Sequence, residues 1–108
     1  MSAELQALGG AKVILSTVTS AGAMGAALGG LGARGQLVVL GVDMESIAVP
    51  PIVLVGQTRS VAGHPSGTSK DSEDTLRFAA LTGIRPMIET MPMADAPRAW
   101  ERMLSGQA

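Results

Sequence analysis

The run Gly35–Asp43, GQLVVLGVD, decides how the rest of the chain is read. Leu37, Val38, Val39 and Leu40 follow one another without polar alternation, with Gly35 before them and Gly41 after. This pattern reads as a strand with neither face in water, the usual state of a strand in a parallel sheet layered between helices. Two partner strands are available. Ala11–Leu15, AKVIL, lies about one crossover upstream, and Arg59–His64, RSVAGH, lies downstream beyond a stretch led by Pro50 and Pro51. Each gap has room for a helix, and crossovers of this size are right-handed almost without exception. The expected fold class is α/β: a mainly parallel sheet with helices on both faces, three layers deep, with the Gly35 strand in the middle.

Length and composition narrow the functional classes. A chain of 108 residues is read as a single domain, 1–108. Its 8 basic and 9 acidic side chains are scattered, which leaves no footprint for a nucleic-acid backbone. Without cysteine there is no disulfide framework and no thiolate metal site, and one histidine cannot supply a zinc site alone. The longest apolar run, Ile47–Val55, is interrupted by Pro50 and Pro51 and falls short of the ~20 residues that span a bilayer. Glu4 and the lack of a basic cluster make the N-terminus unlike a secretory signal, so a cytoplasmic location is expected. Phe78 and Trp100 are the only aromatic residues, and with 14 glycines the core must be built from Ala, Val, Leu, Ile and Met at close backbone approach.

In chain order, Ser2–Leu8 reads as the last turns of a helix ended by Gly9 and Gly10, an abrupt start that points to an element with an earlier part upstream. After the Ala11 strand, the polar Ser16–Ser20 leads into Ala21–Leu31, a weak helix because each interior glycine costs about 1 kcal/mol against alanine. Met24, Leu28 and Leu31 form its inward stripe, and Gly25, Gly29 and Gly32 a second row suited to close contact. Gly30–Gly35, GLGARG, matches G-x-G-x-x-G, but it closes a helix and opens a strand. The dinucleotide fingerprint does the reverse, so this stretch reads as a turn.

Downstream, Ile47–Val49 is a short extended piece, and Pro51 sits in the first turn of a helix, where its missing N–H costs nothing. Ser69–Thr82 carries the strongest helix signals: a Thr68 or Ser69 cap, Asp71, Glu73 and Asp74 near its start, and Gly83 as its stop. Leu76, Ala79, Ala80 and Gly83 mark a core face for that helix. Met87–Thr90 reads as a short strand, and Met93–Leu104 as a last helix with Trp100, Met103 and Leu104 on one face in core packing.

In an open α/β sheet, ligands bind beyond the carboxyl ends of the strands. That rule selects Thr17–Ser20, Gly41–Asp43 and Gly63–Ser66. Thr17, Thr19 and Ser66 offer hydroxyls, Val42 and Pro65 apolar contact, and Gly41 and Gly63 let a flat ligand approach the backbone. Equally, these are ordinary strand-to-loop turns. His64 has no partner acid nearby in sequence and reads as a turn residue or, alternatively, a proton shuttle.

GGAKVILSTV, GLGARGQLVVLGV, RSVAGHPSGTSKDSEDTLRFAALTGIRPMIE and AWERMLSGQA, in that order and spacing, resemble the C-terminal half of a zinc-type alcohol dehydrogenase of the medium-chain dehydrogenase/reductase family. The resemblance spans essentially the whole chain. It implies the second half of a Rossmann domain binding NAD or NADP. Thr17, Val18 and Thr19 would lie at the adenine side, Gly41 and Val42 near the nicotinamide ribose, and Gly63, His64 and Pro65 at the carboxamide. The family's catalytic zinc ligands, four-cysteine lobe, glycine-rich phosphate turn and acidic ribose anchor have no counterpart in this sequence. The resemblance therefore implies no catalytic residue and no metal ligand here, with zinc held only by another domain of the parent. The parent would pass hydride between a small alcohol or carbonyl substrate and the nicotinamide cofactor. It further implies a homo-oligomer paired through sheet edges, at Ala11–Leu15 or at Ile47–Val49. Two alternatives share these residues: part of a zinc-independent quinone or enoyl reductase, and a non-catalytic nucleotide-binding or assembly module.

Overall fold

The structure, a computed structural model, describes residues 1–107. The chain forms two compact units, Met1–Thr68 and Ser69 onward. The first unit runs α1 (Ser2–Ala7), β1 (Ala11–Ser16), α2 (Ala21–Ala27), a 3₁₀ turn (Leu28–Gly30), β2 (Leu31–Val39), α3 (Pro51–Val55) and β3 (Ser60–Gly63). The second holds α4 (Ser69–Thr82), a 3₁₀ turn (Met93–Asp95) and α5 (Ala96–Leu104).

The sheet has three strands in the order β1-β2-β3, and both pairings are parallel. Ile14, Leu15 and Ser16 stand beside Leu37, Val38 and Val39, while Gln36 and Val39 stand beside Ser60 and Gly63. The α/β class and the central place of the apolar run are as expected. The start of β2 is not. The ladder proper begins at Gln36, but Leu31 also pairs with Ala11, and the intervening residues bulge between the pairs Ala11–Leu31 and Val13–Gln36. Arg34 turns the bulge with a φ of 56°. The glycines of GLGARG serve this crowding: a Cβ on Gly32 would sit 2.9 Å from the Gly9 carbonyl oxygen, and one on Gly35 2.8 Å from that of Ala11. Arg59 locks the bulge, donating to the carbonyls of Leu31 and Gly32. The expected helix through Leu31 therefore stops at Ala27, and the strand ends at Val39 rather than Asp43.

The core is small. Ala21, Met24, Ala27, Leu28, Leu31 and Leu37 are buried, with Ile14, Val39, Val49, Val53 and Val61 packed against the Ala27–Leu28–Leu31–Leu37 cluster. Met24, Leu28 and Leu31 are the expected inward stripe, although Leu31 reaches the core from the strand. Fully burying a side chain such as Leu31 or Leu37 contributes about 1.5–3 kcal/mol. Successive strand residues point to opposite faces, and here those faces differ. Leu37 and Val39 belong to the core side, whereas Val13 is 53% and Leu15 66% exposed and Leu40 is exposed as well. The expectation that neither face of the apolar run meets water holds for one face only.

Side chains fasten the short elements of this unit. Gln6 donates to the carbonyls of Gly29 and Leu31 at 2.8 and 2.9 Å, and Ser2 to that of Ala26 at 2.8 Å, which hold α1 to the end of α2.

In the second unit α4 has the bounds the sequence predicts, yet it buries no residue: Leu76, Phe78 and Leu81 are 72%, 59% and 81% exposed. Trp100, Met103 and Leu104 are exposed too, against the expectation of core packing. Met87–Thr90 is not a strand, because no described strand pairs with it. Instead Glu89 receives two hydrogen bonds from Arg102, at 2.5 and 2.7 Å, which tie this extended segment to α5. Among the described residues no helix is long and apolar enough to cross a membrane.

Candidate functional site

Because the three strands are parallel, their carboxyl ends lie along one rim. Two carbonyls tie that rim together. Ser16 accepts from the N–H groups of Leu40 and Gly41 at 2.9 and 3.0 Å, and Val39 accepts from the N–H of His64 at 3.0 Å. The end of β1 is thus bonded to the turn after β2, and the end of β2 to the first residue after β3. Thr17, Val18, Thr19, Gly41, Val42, Gly63, His64 and Pro65 all stand on these three segments, each within three residues of a bonded position.

The closest approach is at Gly41. A Cβ there would lie 2.0 Å from the Val18 carbonyl oxygen, so the two turns touch backbone to backbone and no side chain fits between them. At the other end of the rim, a Cβ on Gly63 would meet nothing within 4 Å, so the end of β3 is open. Between these points the surface mixes apolar and hydroxyl groups. Val18 and Val42 are 47% and 75% exposed, and Thr17, Thr19, His64 and Pro65 are exposed. His64 Nδ1 lies 2.6 Å from the Pro65 carbonyl oxygen, which makes it the donor of a local bond and agrees with a turn residue. An open backbone at Gly63, flanked by uncovered apolar and hydroxyl side chains, suits a flat ring lying over the rim with polar edges to satisfy.

The sequence places Asp43 at the end of the rim segment Gly41–Asp43, with no role of its own. In the structure its Oδ2 accepts from the Ala21 N–H at 2.6 Å and its Oδ1 from the Glu45 N–H at 3.2 Å. The bond to Ala21 and then that to Glu45, with a lesser part from Met44, hold its carboxyl below the usual carboxylate range against desolvation. Ser20 caps the same helix locally, accepting from Ala23 N–H at 3.3 Å. No local signal could have revealed the Asp43 bond, since its partner lies 22 residues away. Among the described residues no group of three or more His, Cys, Asp or Glu side chains could hold a metal ion. The second unit has a groove of about 670 Å³ lined by Met87, Ile88, Met91, Met93 and Met103, with none of the rim residues in it.

No family model matches the chain. Individual proteins do. The chain is 38% identical over 104 residues to the alcohol dehydrogenase notN of an Aspergillus species, covering 96% of this chain and 30% of that protein. It is 35% identical over 97 residues to the NADP-dependent alcohol dehydrogenase C of Mycobacterium tuberculosis, covering 90% of this chain and 28% of that one. Among solved structures, a cinnamyl alcohol dehydrogenase of Sorghum bicolor superposes with a TM-score of 0.84 at 27% identity, over 98% of this chain and 30% of its own. The chain thus spans about 30% of the length of the relatives it matches. The resemblance read from the ordered sequence segments, and the Rossmann-like fold it implied, are both upheld by these relatives.

Proposed function

We propose that this chain, a homologue of the alcohol dehydrogenases, supplies one rim of the nicotinamide-dinucleotide seat in a zinc-type alcohol dehydrogenase, as the C-terminal part of its NAD(P)-binding Rossmann domain. The observation that carries the reading is the tied rim: the Ser16 and Val39 carbonyls, at the ends of β1 and β2, bind the first residues after β2 and β3, and Gly41 meets Val18 of the loop after β1, all at the carboxyl ends of parallel strands. That is where open α/β sheets take their ligands.

On this reading Thr17, Val18 and Thr19 border the adenine side, Gly41 and Val42 the nicotinamide ribose, and Gly63, His64 and Pro65 the carboxamide. Their roles are contact and orientation. The open backbone at Gly63 leaves room for a planar ring, and the exposed Val42 gives it an apolar wall. When bound, the nicotinamide would exchange hydride with a small alcohol or carbonyl substrate. NAD and NADP are both kept, since one relative is NADP-dependent by name. Zinc would polarise the substrate oxygen from residues outside this sequence, so the chain alone would be inactive. The strand β1 stands at an edge of the sheet, with Val13 and Leu15 exposed on its face, which supports self-association through the sheet.

Titrating NADH fluorescence with the chain tests the seat. An enhanced or shifted emission with millimolar affinity is expected, together with its loss in Val42→Asp, which puts a like charge beside the pyrophosphate-bearing ligand. No response at millimolar NADH would remove the cofactor assignment. Sedimentation of the chain across a concentration series tests the association, and a monomer at the highest concentration would remove it.

A further inference from the structure

We infer that Asp43 is a positioning residue whose carboxylate latches the turn after β2 to the start of α2, setting the gap between the rim segments Thr17–Ser20 and Gly41–Val42. The latch stands on the structure alone; its consequence for cofactor rests on the function proposed above.

Two opposed constraints define the gap. Gly41 meets the Val18 carbonyl so closely that the turns cannot move nearer. Past Gly41, whose N–H binds Ser16, the chain has left the β-ladder, and the bond from Asp43 Oδ2 to Ala21 N–H at 2.6 Å restrains it from swinging outward. The second oxygen, bonded to Glu45 N–H at 3.2 Å, turns the carboxylate so that one group spans both segments. Ser20 cannot do this. It caps α2 from the loop that leads directly into the helix and has no reach into the turn after β2. The helix itself is short, seven residues with Gly22 and Gly25 inside, so its first turn depends on bonds from outside. Asp43 thus couples the helix start and the rim, where a cap from within the helix would serve the helix only.

Amide hydrogen exchange by NMR, on the wild-type chain and on Asp43→Ala, Asp43→Asn and Ser20→Ala, tests this. Asp43→Ala should speed exchange at Ala21 and Glu45 by about tenfold, the loss of one hydrogen bond to a charged acceptor. The acceleration should spread to Gly41, whose N–H binds the Ser16 carbonyl, and NADH affinity should fall by a similar factor. Asp43→Asn should recover part of the protection at Ala21, because its carbonyl oxygen still accepts. Ser20→Ala should accelerate Ala23 and leave Gly41 and Glu45 at wild-type rates. The inference is overturned if Gly41 and Glu45 keep wild-type exchange without the Asp43 carboxylate. It is equally overturned if Ser20→Ala loosens Gly41 as much, or if the rim loosens while NADH affinity stays constant. If Asp43→Ala does not fold, Asp43→Asn decides by the same amides. A wild-type chain that fails to bind NADH sinks the cofactor seat, and the exchange rates still decide the latch.

Discussion

In Met1–Thr68 six apolar side chains lose nearly all contact with water, while from Ser69 onward no described residue is buried. Both units contain helices with apolar spacing. The first keeps its helices by packing, with Ala27 and Leu28 against Leu31 and Leu37. The second keeps them by local bonds. Along α4, Lys70 pairs with Glu73 and Asp74, and Arg77 with Glu73, at three- and four-residue spacing; Arg102 holds Glu89 to α5. Apolar periodicity therefore marks a face that can be covered, and burial requires an opposing surface. The first unit has one in its sheet, and only on one side of it.

If that contrast is right, truncating a core side chain in the first unit should have the largest effect. Leu37→Ala is expected to destabilise it by about 2–5 kcal/mol, whereas Leu81→Ala on α4 should stay within about 0.5 kcal/mol. Chemical denaturation followed by amide probes in each unit reads both, and equal losses would break the comparison. Next comes Gly41→Ala. The new Cβ would strike the Val18 carbonyl, forcing the rim turns apart at a cost of about 1–3 kcal/mol. NADH response should fall along with stability, which denaturation and titration of the same sample would show.

The second unit should respond to acid through one ion pair. The hydrogen bond from Arg102, then its charge, hold Glu89 below its ordinary value of 4.5, against desolvation. A lowered folded value means the pair contributes fully above about pH 4.5 and is lost as pH falls through the folded value. Trp100, the sole tryptophan and a neighbour of Arg102 on α5, should report the change as an emission shift with a midpoint below 4.5, absent in Glu89→Gln. An emission profile identical in the two proteins would show that the pair does not hold the segment. The smallest effect is expected for Lys70→Ala, about 0.3 kcal/mol of α4 helicity, vanishing at high salt. Circular dichroism at low and high ionic strength measures it.

Much of this was legible from residues alone, for reasons that can be named. The bounds of α4, Ser69–Thr82, follow from acids in its first turns and from Gly83, which takes a φ of 71° that other residues rarely adopt. The carboxyl-end rule picked out the three rim segments before their carbonyl ties were visible. Where reading failed, the deciding contact came from far along the chain. Leu31 was assigned to a helix because its spacing from Met24 and Leu28 is helical, but pairing with Ala11 makes it a strand residue. Met87–Thr90 has strand-like composition and no partner to pair with. Asp43 resembles any acidic turn residue until the fold brings Ala21 within 2.6 Å of it.

The sequence by itself determined the order of the three paired strands and the helices between them, and the ends of the elements with strong local caps, because those depend on backbone preferences and spacing within a few residues; the helix-sized gaps gave the parallel sense of the sheet. The tertiary structure alone decided which apolar faces are covered, where the bulge in β2 falls and which carboxylate reaches across the rim. The bulge and the Asp43 bond depend on groups twenty or more residues apart meeting at hydrogen-bond distance, and a covered face depends on the opposing surface that the fold brings to it.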